Sequence, residues 1–135
     1  MSDPVARTGV VLAHGTMAVG LVDAVRHIAG SAADALVPLS NEGLSPEDVQ
    51  ARIEEAAGEG AAIVFVDLQA GSCCTAALAS CRACADRIVV TGVNLPMLLD
   101  FVFNRGLPFE ELEQRLVDRG RSAIRPVSAD RTPAG

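Results

Sequence analysis

The sequence predicts a doubly wound α/β fold: an open parallel sheet in the order 2-1-3-4, helices on both faces, and a carboxyl-terminal edge strand. Three observations predict it. Four short apolar runs lack the alternation of a strand with one wet face, which marks strands buried on both sides and therefore parallel. A helical pattern follows each run, and strand alternating with helix is the doubly wound arrangement. The chain has 135 residues, half of them apolar, enough for one domain and one real core.

The first run is Gly9-Val10-Val11-Leu12-Ala13. From Ala18 onward Leu21, Val22, Val25 and Ile28 recur at helical spacing, and Gly30 ends the helix. The second strand is expected over Ala35–Leu39. Ser45-Pro46-Glu47-Asp48 then reads as an N-cap, a first-position proline and acids in the first turn. That helix turns Val49, Ile53 and Ala56 inward and closes near Gly58. The third strand is Ala61–Val66, and a helix capped by Ser72 is expected over Ser72–Ala85. The fourth strand is Arg87–Val90. Two helices, Pro96–Arg105 and Pro108–Gly120, are divided by Gly106, the second burying Phe109, Leu112 and Leu116. Ser122–Val127 alternates enough to form an edge strand. One domain over 1–127 is expected, with 128–135 as a solvated tail or linker stub.

Composition narrows the function. The net charge is −6, so the chain lacks the basic footprint of a nucleic-acid or anionic-membrane binder. All 11 basic residues are arginine. The absence of lysine excludes a Walker A ATPase and a Schiff-base enzyme. The longest apolar run, Ala61–Val66, is far short of the ~20 residues that span a bilayer. Met1-Ser2-Asp3-Pro4 begins no signal-peptide pattern, so a cytoplasmic location is expected.

The four cysteines, Cys73, Cys74, Cys81 and Cys84, fall on one expected helix. At about 1.5 Å rise per residue, Cys74 and Cys81 stand roughly 10 Å apart along the axis. Four sulfurs so spread cannot close around zinc. Cys81 and Cys84 also lie late in the helix, away from the first turn that lowers thiol pKa values in redox pairs. The cysteines are read as reduced packing residues, and no metal or cofactor is expected.

In doubly wound sheets ligands sit beyond the carboxyl ends of the strands, where the winding reverses. His14 stands there after the first strand, Asp67 after the third and Asn94 after the fourth. Neighbouring strands are about 4.8 Å apart, so His14 and Asp67 can meet. Asp67 could hold one ring nitrogen and leave the other free as a nucleophile. Gly15 and Thr16 begin one helix, and Gly71 and Ser72 begin another at the same edge. Two helix amino termini around an imidazole suit a phosphoryl group. Spacing alone leaves other uses open: a histidine beside a strand end is more often a turn or capping residue than a catalyst, and Asn94-Leu95-Pro96 could be only a turn into a helix. His27, late in the first helix, fits its carbonyl end.

On these residues the chain resembles the mannose-type enzyme IIA family of the bacterial phosphoenolpyruvate-dependent sugar phosphotransferase system. Ala13-His14-Gly15 matches the family's histidine turn. Phe65-Val66-Asp67, with Gly71-Ser72 and Ala76-Ala77, matches its aspartate loop and following helix. Gly92-Val93-Asn94-Leu95-Pro96-Met97-Leu98-Leu99 matches its most specific segment. The resemblance implies that His14 accepts a phosphoryl group on Nε2 from the phosphocarrier HPr and passes it to a histidine of enzyme IIB, while Asp67 holds Nδ1. It implies phosphoryl binding by Gly15, Thr16, Gly71 and Ser72, and a partner-facing rim of Met17, Gln69, Asn94, Pro96 and Met97. It further implies a homodimer that exchanges Ser122–Val127.

The chain departs from the family pattern at Ala13, where threonine is usual, and at Gln69 and Ala70, which replace an aromatic and a glycine. Cys73 replaces proline, and Met17 stands where an aromatic is common. These departures keep a second expectation alongside transport: a free-standing regulatory phospho-acceptor of the same fold. The related phosphotransfer subunit that serves dihydroxyacetone kinase fits the Gly92–Leu99 segment poorly. A receiver domain lacks its acidic pair and its lysine here.

Overall fold

The four strands lie in one parallel sheet ordered β2-β1-β3-β4. They belong to a computed structural model that describes residues 7–58, 60–83 and 86–130. In chain order the elements are β1 (Thr8–Ala13), α1 (Met17–Ala29), a 3-10 turn (Gly30–Ala35), β2 (Leu36–Ser40) and α2 (Pro46–Ala57). Then come β3 (Ala62–Val66), α3 (Ser72–Ala83), β4 (Arg87–Thr91), α4 (Leu95–Val102) and α5 (Phe109–Ser122). No helix among the described residues is long and apolar enough to cross a membrane.

Side-chain alternation divides the sheet into two covered faces. Val11, Ala13, Ile63 and Phe65 pack with α1, α4 and α5, where Phe65 meets Phe101 edge-on at 5.2 Å. Val10, Leu12, Val64 and Val66 pack with α2 and α3. All eight strand residues are buried, which is why their sequence shows no polar alternation. Gly9 leaves room for this packing: a Cβ there would lie 2.7 Å from both Leu36 Cδ2 and Phe101 Cε2. Pro38 pairs with Val11 on β2, and because β2 is an edge strand its missing N–H breaks no ladder.

Helix ends follow the local chemistry. Ser45 Oγ accepts from Asp48 N–H at 3.1 Å, and Asp48 Oδ2 accepts from Ser45 N–H at 3.4 Å, completing a capping box on α2. Two expectations about helix ends need correction. Ser72 is the first residue of α3 rather than its cap, because Gly71 O already accepts from Thr75 N–H at 3.2 Å. Helix α4 stops at Val102, not Arg105. Asn104 N–H turns back to Phe101 O at 3.0 Å, and its side chain donates to Asp100 O at 2.7 Å, competing with continued helix.

The edge strand expected over 122–127 does not form within this chain. Helix α5 runs on to Ser122, and Ala123 N–H still donates to Arg119 O at 3.2 Å. Residues 124–128 carry no regular structure, leaving Ile124 and Val127 79% and 66% exposed. The expected tail is described only to Asp130, and residues 131–135 lie outside the described residues. Cys73 and Cys74 are buried in the core as packing residues; Cys81 is half-buried, and Cys84 lies outside the described residues.

Candidate functional site

Strands β1 and β3 are neighbours, with Leu12 opposite Val66. Extending that register puts the residues after the two strands side by side at the carboxyl edge. His14 and Asp67 meet there as the spacing suggested: Nδ1 of the ring lies 2.8 Å from Asp67 Oδ2. The backbone N–H of His14 donates to the same oxygen at 3.0 Å, and Leu68 N–H donates to Oδ1 at 3.0 Å. Gly15, at φ +59°, lets the chain turn sharply from β1 into α1.

The pair is asymmetric in exposure. The Asp67 side chain is 8% exposed and the His14 side chain 44%. Burial pushes the Asp67 carboxyl up, but the His14 backbone N–H, the bond to its ring and the ring's charge outweigh this and hold it below the ordinary 3.8. A carboxylate only accepts hydrogen bonds, so the Nδ1 contact assigns the ring proton to Nδ1. In the neutral ring the lone pair is then on Nε2.

Helix α3 begins against that nitrogen. A Cβ built on Gly71 would lie in van der Waals contact with the ring, 4.0 Å from His14 Nε2, and Gly71 has φ +106°, so a side chain there would strain the turn. The first-turn N–H groups of α3, from Ser72 on, have no acceptor within the helix. Ser72 Oγ is exposed and accepts from Asn41 Nδ2 at 3.2 Å. Thr16 precedes α1 and makes no side-chain cap bond. The arrangement offers an exposed lone pair, an aligned carboxylate behind it, and uncommitted donors beside it.

Asn41 is the residue the sequence reading missed. It follows β2, and the strand-end rule that picked out His14, Asp67 and Asn94 reaches it when applied to all four strands.

The expected rim divides. Met17 and Gln69 are exposed beside the histidine turn and in the aspartate loop, and Pro96 is half-buried. Asn94 is committed to structure: its Oδ1 accepts from Met97 N–H at 3.1 Å as the cap of α4, and its Nδ2 donates to Gly120 O at 2.9 Å. Met97 is not a rim residue. It is 4% exposed and belongs to the core against α5, because its position in the first turn of α4 faces Gly120, where a Cβ would lie 2.7 Å from Met97 Cε.

Cys73 lies under the ring, its Sγ 4.0 Å from His14 Nδ1. Burial, then the charges of Asp67 and Cys74, push its thiol up to about 11. It is a neutral thiol, not a nucleophile.

A family model described as PTS system fructose IIA component matches residues 9–115. No curated protein matches the chain. Among solved structures, the mannose/sorbose specific IIA subunit of the phosphotransferase system from Enterococcus faecalis is similar at 26% identity, covering 92% of this chain and 96% of that one, with a TM-score of 0.81. The phosphotransferase system component EIIA from Streptococcus agalactiae is similar at 22% identity over 88% of this chain and 95% of that one, also with a TM-score of 0.81. The PTS IIA protein associated with the fucose utilization operon from Streptococcus pneumoniae shares the fold at 19% identity, covering 93% and 96%, with a TM-score of 0.76.

Proposed function

The chain belongs to the family described as PTS system fructose IIA component, and from that premise we propose that it relays phosphoryl groups through Nε2 of His14. Membership makes it a component of the sugar phosphotransferase system. The observation that carries the finer assignment is the 2.8 Å contact between His14 Nδ1 and Asp67 Oδ2, which keeps a proton on Nδ1 and so places the lone pair of the neutral ring on Nε2.

The Nε2 lone pair attacks the phosphorus of a phosphohistidine on HPr. The donor P–N bond breaks as the new P–N bond forms, and its electron pair stays with the donor ring. Positive charge that develops on the His14 ring is offset by Asp67 through Nδ1–H. Gly15, Thr16, Gly71 and Ser72 surround the phosphoryl oxygens with backbone N–H groups and hydroxyls, where fixed donors do most of the catalytic work. The same steps in reverse hand the group to a histidine of enzyme IIB. Met17, Gln69 and Pro96 form the surface that both partners touch. The relay operates in the cytoplasm and needs no metal or cofactor of its own.

The protein acts as a homodimer in which residues 122–127 cross to the partner. Support comes from exposed Ile124 and Val127 and from the edge of β4, which has no partner strand among the described residues, beside a groove of about 290 Å³ lined by Thr91, Gly92, Val117 and Ile124.

A regulatory phospho-acceptor is the second reading, favoured by the exposed, non-aromatic Gln69 in the aspartate loop. Genes for IIB, IIC and IID subunits beside this one favour transport; their absence favours regulation. The test of phosphoryl acceptance is incubation with phosphoenolpyruvate, enzyme I and HPr. The expected result is an acid-labile, base-stable label that His14→Ala abolishes, and a label that survives His14→Ala overturns the assignment.

A further inference from the structure

Phosphoryl transfer leaves Cys73 unused, although it stands against the reacting ring. His14, Asp67 and Cys73 each offer one ligand atom, and these atoms all lie within 4.8 Å of one another. They arrive from three different elements: the end of β1, the end of β3 and the first turn of α3. From this juxtaposition we propose that His14 Nδ1, Asp67 Oδ2 and Cys73 Sγ bind a thiophilic divalent cation of the zinc type, and that the bound ion blocks phosphoryl acceptance. The second half rests on Nε2 being the acceptor.

The donor set fits such an ion. Zinc bonds of about 2.0 Å to nitrogen and oxygen and 2.3 Å to sulfur, arranged tetrahedrally, separate the ligand atoms by roughly 3.3–3.6 Å. The separations from Nδ1, 2.8 Å to Asp67 Oδ2 and 4.0 Å to Cys73 Sγ, bracket that range. One carboxylate and one thiolate balance the two positive charges, and the imidazole is neutral. Leu68 N–H donates to Asp67 Oδ1 at 3.0 Å, so the carboxylate is already oriented by an outer hydrogen bond. The exposed side of the ring leaves the fourth position to water. Cys73 itself is 1% exposed, so the ion enters from the His14 side. Magnesium, which demands octahedral oxygen ligands, does not suit the set.

Blocking follows from proton bookkeeping. On binding, the Cys73 thiol proton leaves to solvent, and the ion takes the Nδ1 lone pair. The one proton of the neutral ring then sits on Nε2, which has no lone pair left for phosphorus. Conversely, a phosphoryl group on Nε2 keeps the proton on Nδ1 and closes the metal site. By linkage each ligand excludes the other to the same degree.

The experiment uses the full chain, its Cys73→Ala variant and the nearly isosteric Cys73→Ser variant. Zinc affinity is measured by competition with a chromophoric chelator, and cobalt reports sulfur ligation by its thiolate charge-transfer band. The expected result is one equivalent of zinc and a cobalt–thiolate band in the wild type, with affinity at least about tenfold weaker and the band lost in both variants. Purified phospho-HPr, freed of enzyme I, then labels each protein with zinc or magnesium present. Zinc should suppress wild-type labelling, a chelator should restore it, and magnesium should not suppress it; both variants should label normally at the same zinc level. Equal zinc affinity in wild type and variants, or no thiolate band, overturns the site. Full-rate labelling of zinc-loaded wild type overturns the block. Failure of the metal-free wild type to take label counts against the phosphorelay alone, because the binding measurements stand without it.

Discussion

Replacing Asp67 by asparagine isolates the carboxylate's role, because the shape is kept and the acceptor pattern is not. Asp67 Oδ2 accepts from the backbone N–H of His14 at 3.0 Å and from its ring at 2.8 Å, while Oδ1 accepts from Leu68 N–H at 3.0 Å. An amide has one acceptor oxygen, so some N–H must face an NH₂ group. If the oxygen stays toward His14, Leu68 N–H loses its acceptor. If the NH₂ faces His14, Nδ1 becomes an acceptor and the ring proton moves to Nε2, the wrong place for attack. A hydrogen bond to a charged group contributes about 1.5–3 kcal/mol, and Asp67 is only 8% exposed, so solvent replaces little of it. Expressed as a barrier, that loss is roughly a 10- to 150-fold slower transfer. Single-turnover transfer from phospho-HPr measures it, with circular dichroism and a thermal melt verifying that Asp67→Asn is folded. A folded variant that accepts phosphoryl at the wild-type rate refutes the orienting role.

Three other outcomes are expected. The Asp67 carboxyl is held below its ordinary 3.8 in the folded state, so its stabilisation is fully present above that value and disappears as pH falls through the lower, folded one. The urea-denaturation gap between wild type and Asp67→Asn should therefore persist from neutral to about pH 5 and close only in stronger acid; a gap that vanishes near neutrality contradicts the sign. Asn94→Ala, which removes the α4 cap and the bond to Gly120 O, should lower stability by about 1–2 kcal/mol by chemical denaturation while the transfer rate stays near wild type. A large rate loss with unchanged stability would make Asn94 a contact residue after all. Ending the chain at Ser122 should turn a dimer into a monomer in sedimentation velocity, and a monomeric full chain argues against strand exchange.

The sheet was legible because burial on both faces writes itself into the sequence as unbroken apolar runs. All four strands fall within one residue of the expected positions at each end. Ser45 and Gly58 marked the ends of α2 because capping chemistry is local. What sequence could not convey was set by contacts between distant residues. Met97 looked like surface in a family-specific segment, yet it faces Gly120, 23 positions away, across the α4–α5 contact. Asn104 ended α4 through a side-chain bond that no periodicity announces. At the site, the His14–Asp67 pair followed from strand order, whereas the place of Cys73 under the ring did not. Helical geometry sets Cys81 two turns along α3 from Cys73 and Cys74, but it does not say which cysteine α3 brings against residues from β1 and β3. Ser122–Val127 alternates as a strand does, and alternation cannot say whether a partner strand lies alongside.

The central claim is that Asp67 holds one ring nitrogen of His14 so that the other reacts. Nitrogen-15 and phosphorus-31 NMR of the phosphorylated, ring-labelled protein tests it most directly, because the couplings identify which nitrogen carries the phosphorus. The expected spectrum has phosphorus coupled to Nε2 of His14 and a proton retained on Nδ1. Phosphorus on Nδ1, or on any residue other than His14, contradicts the account.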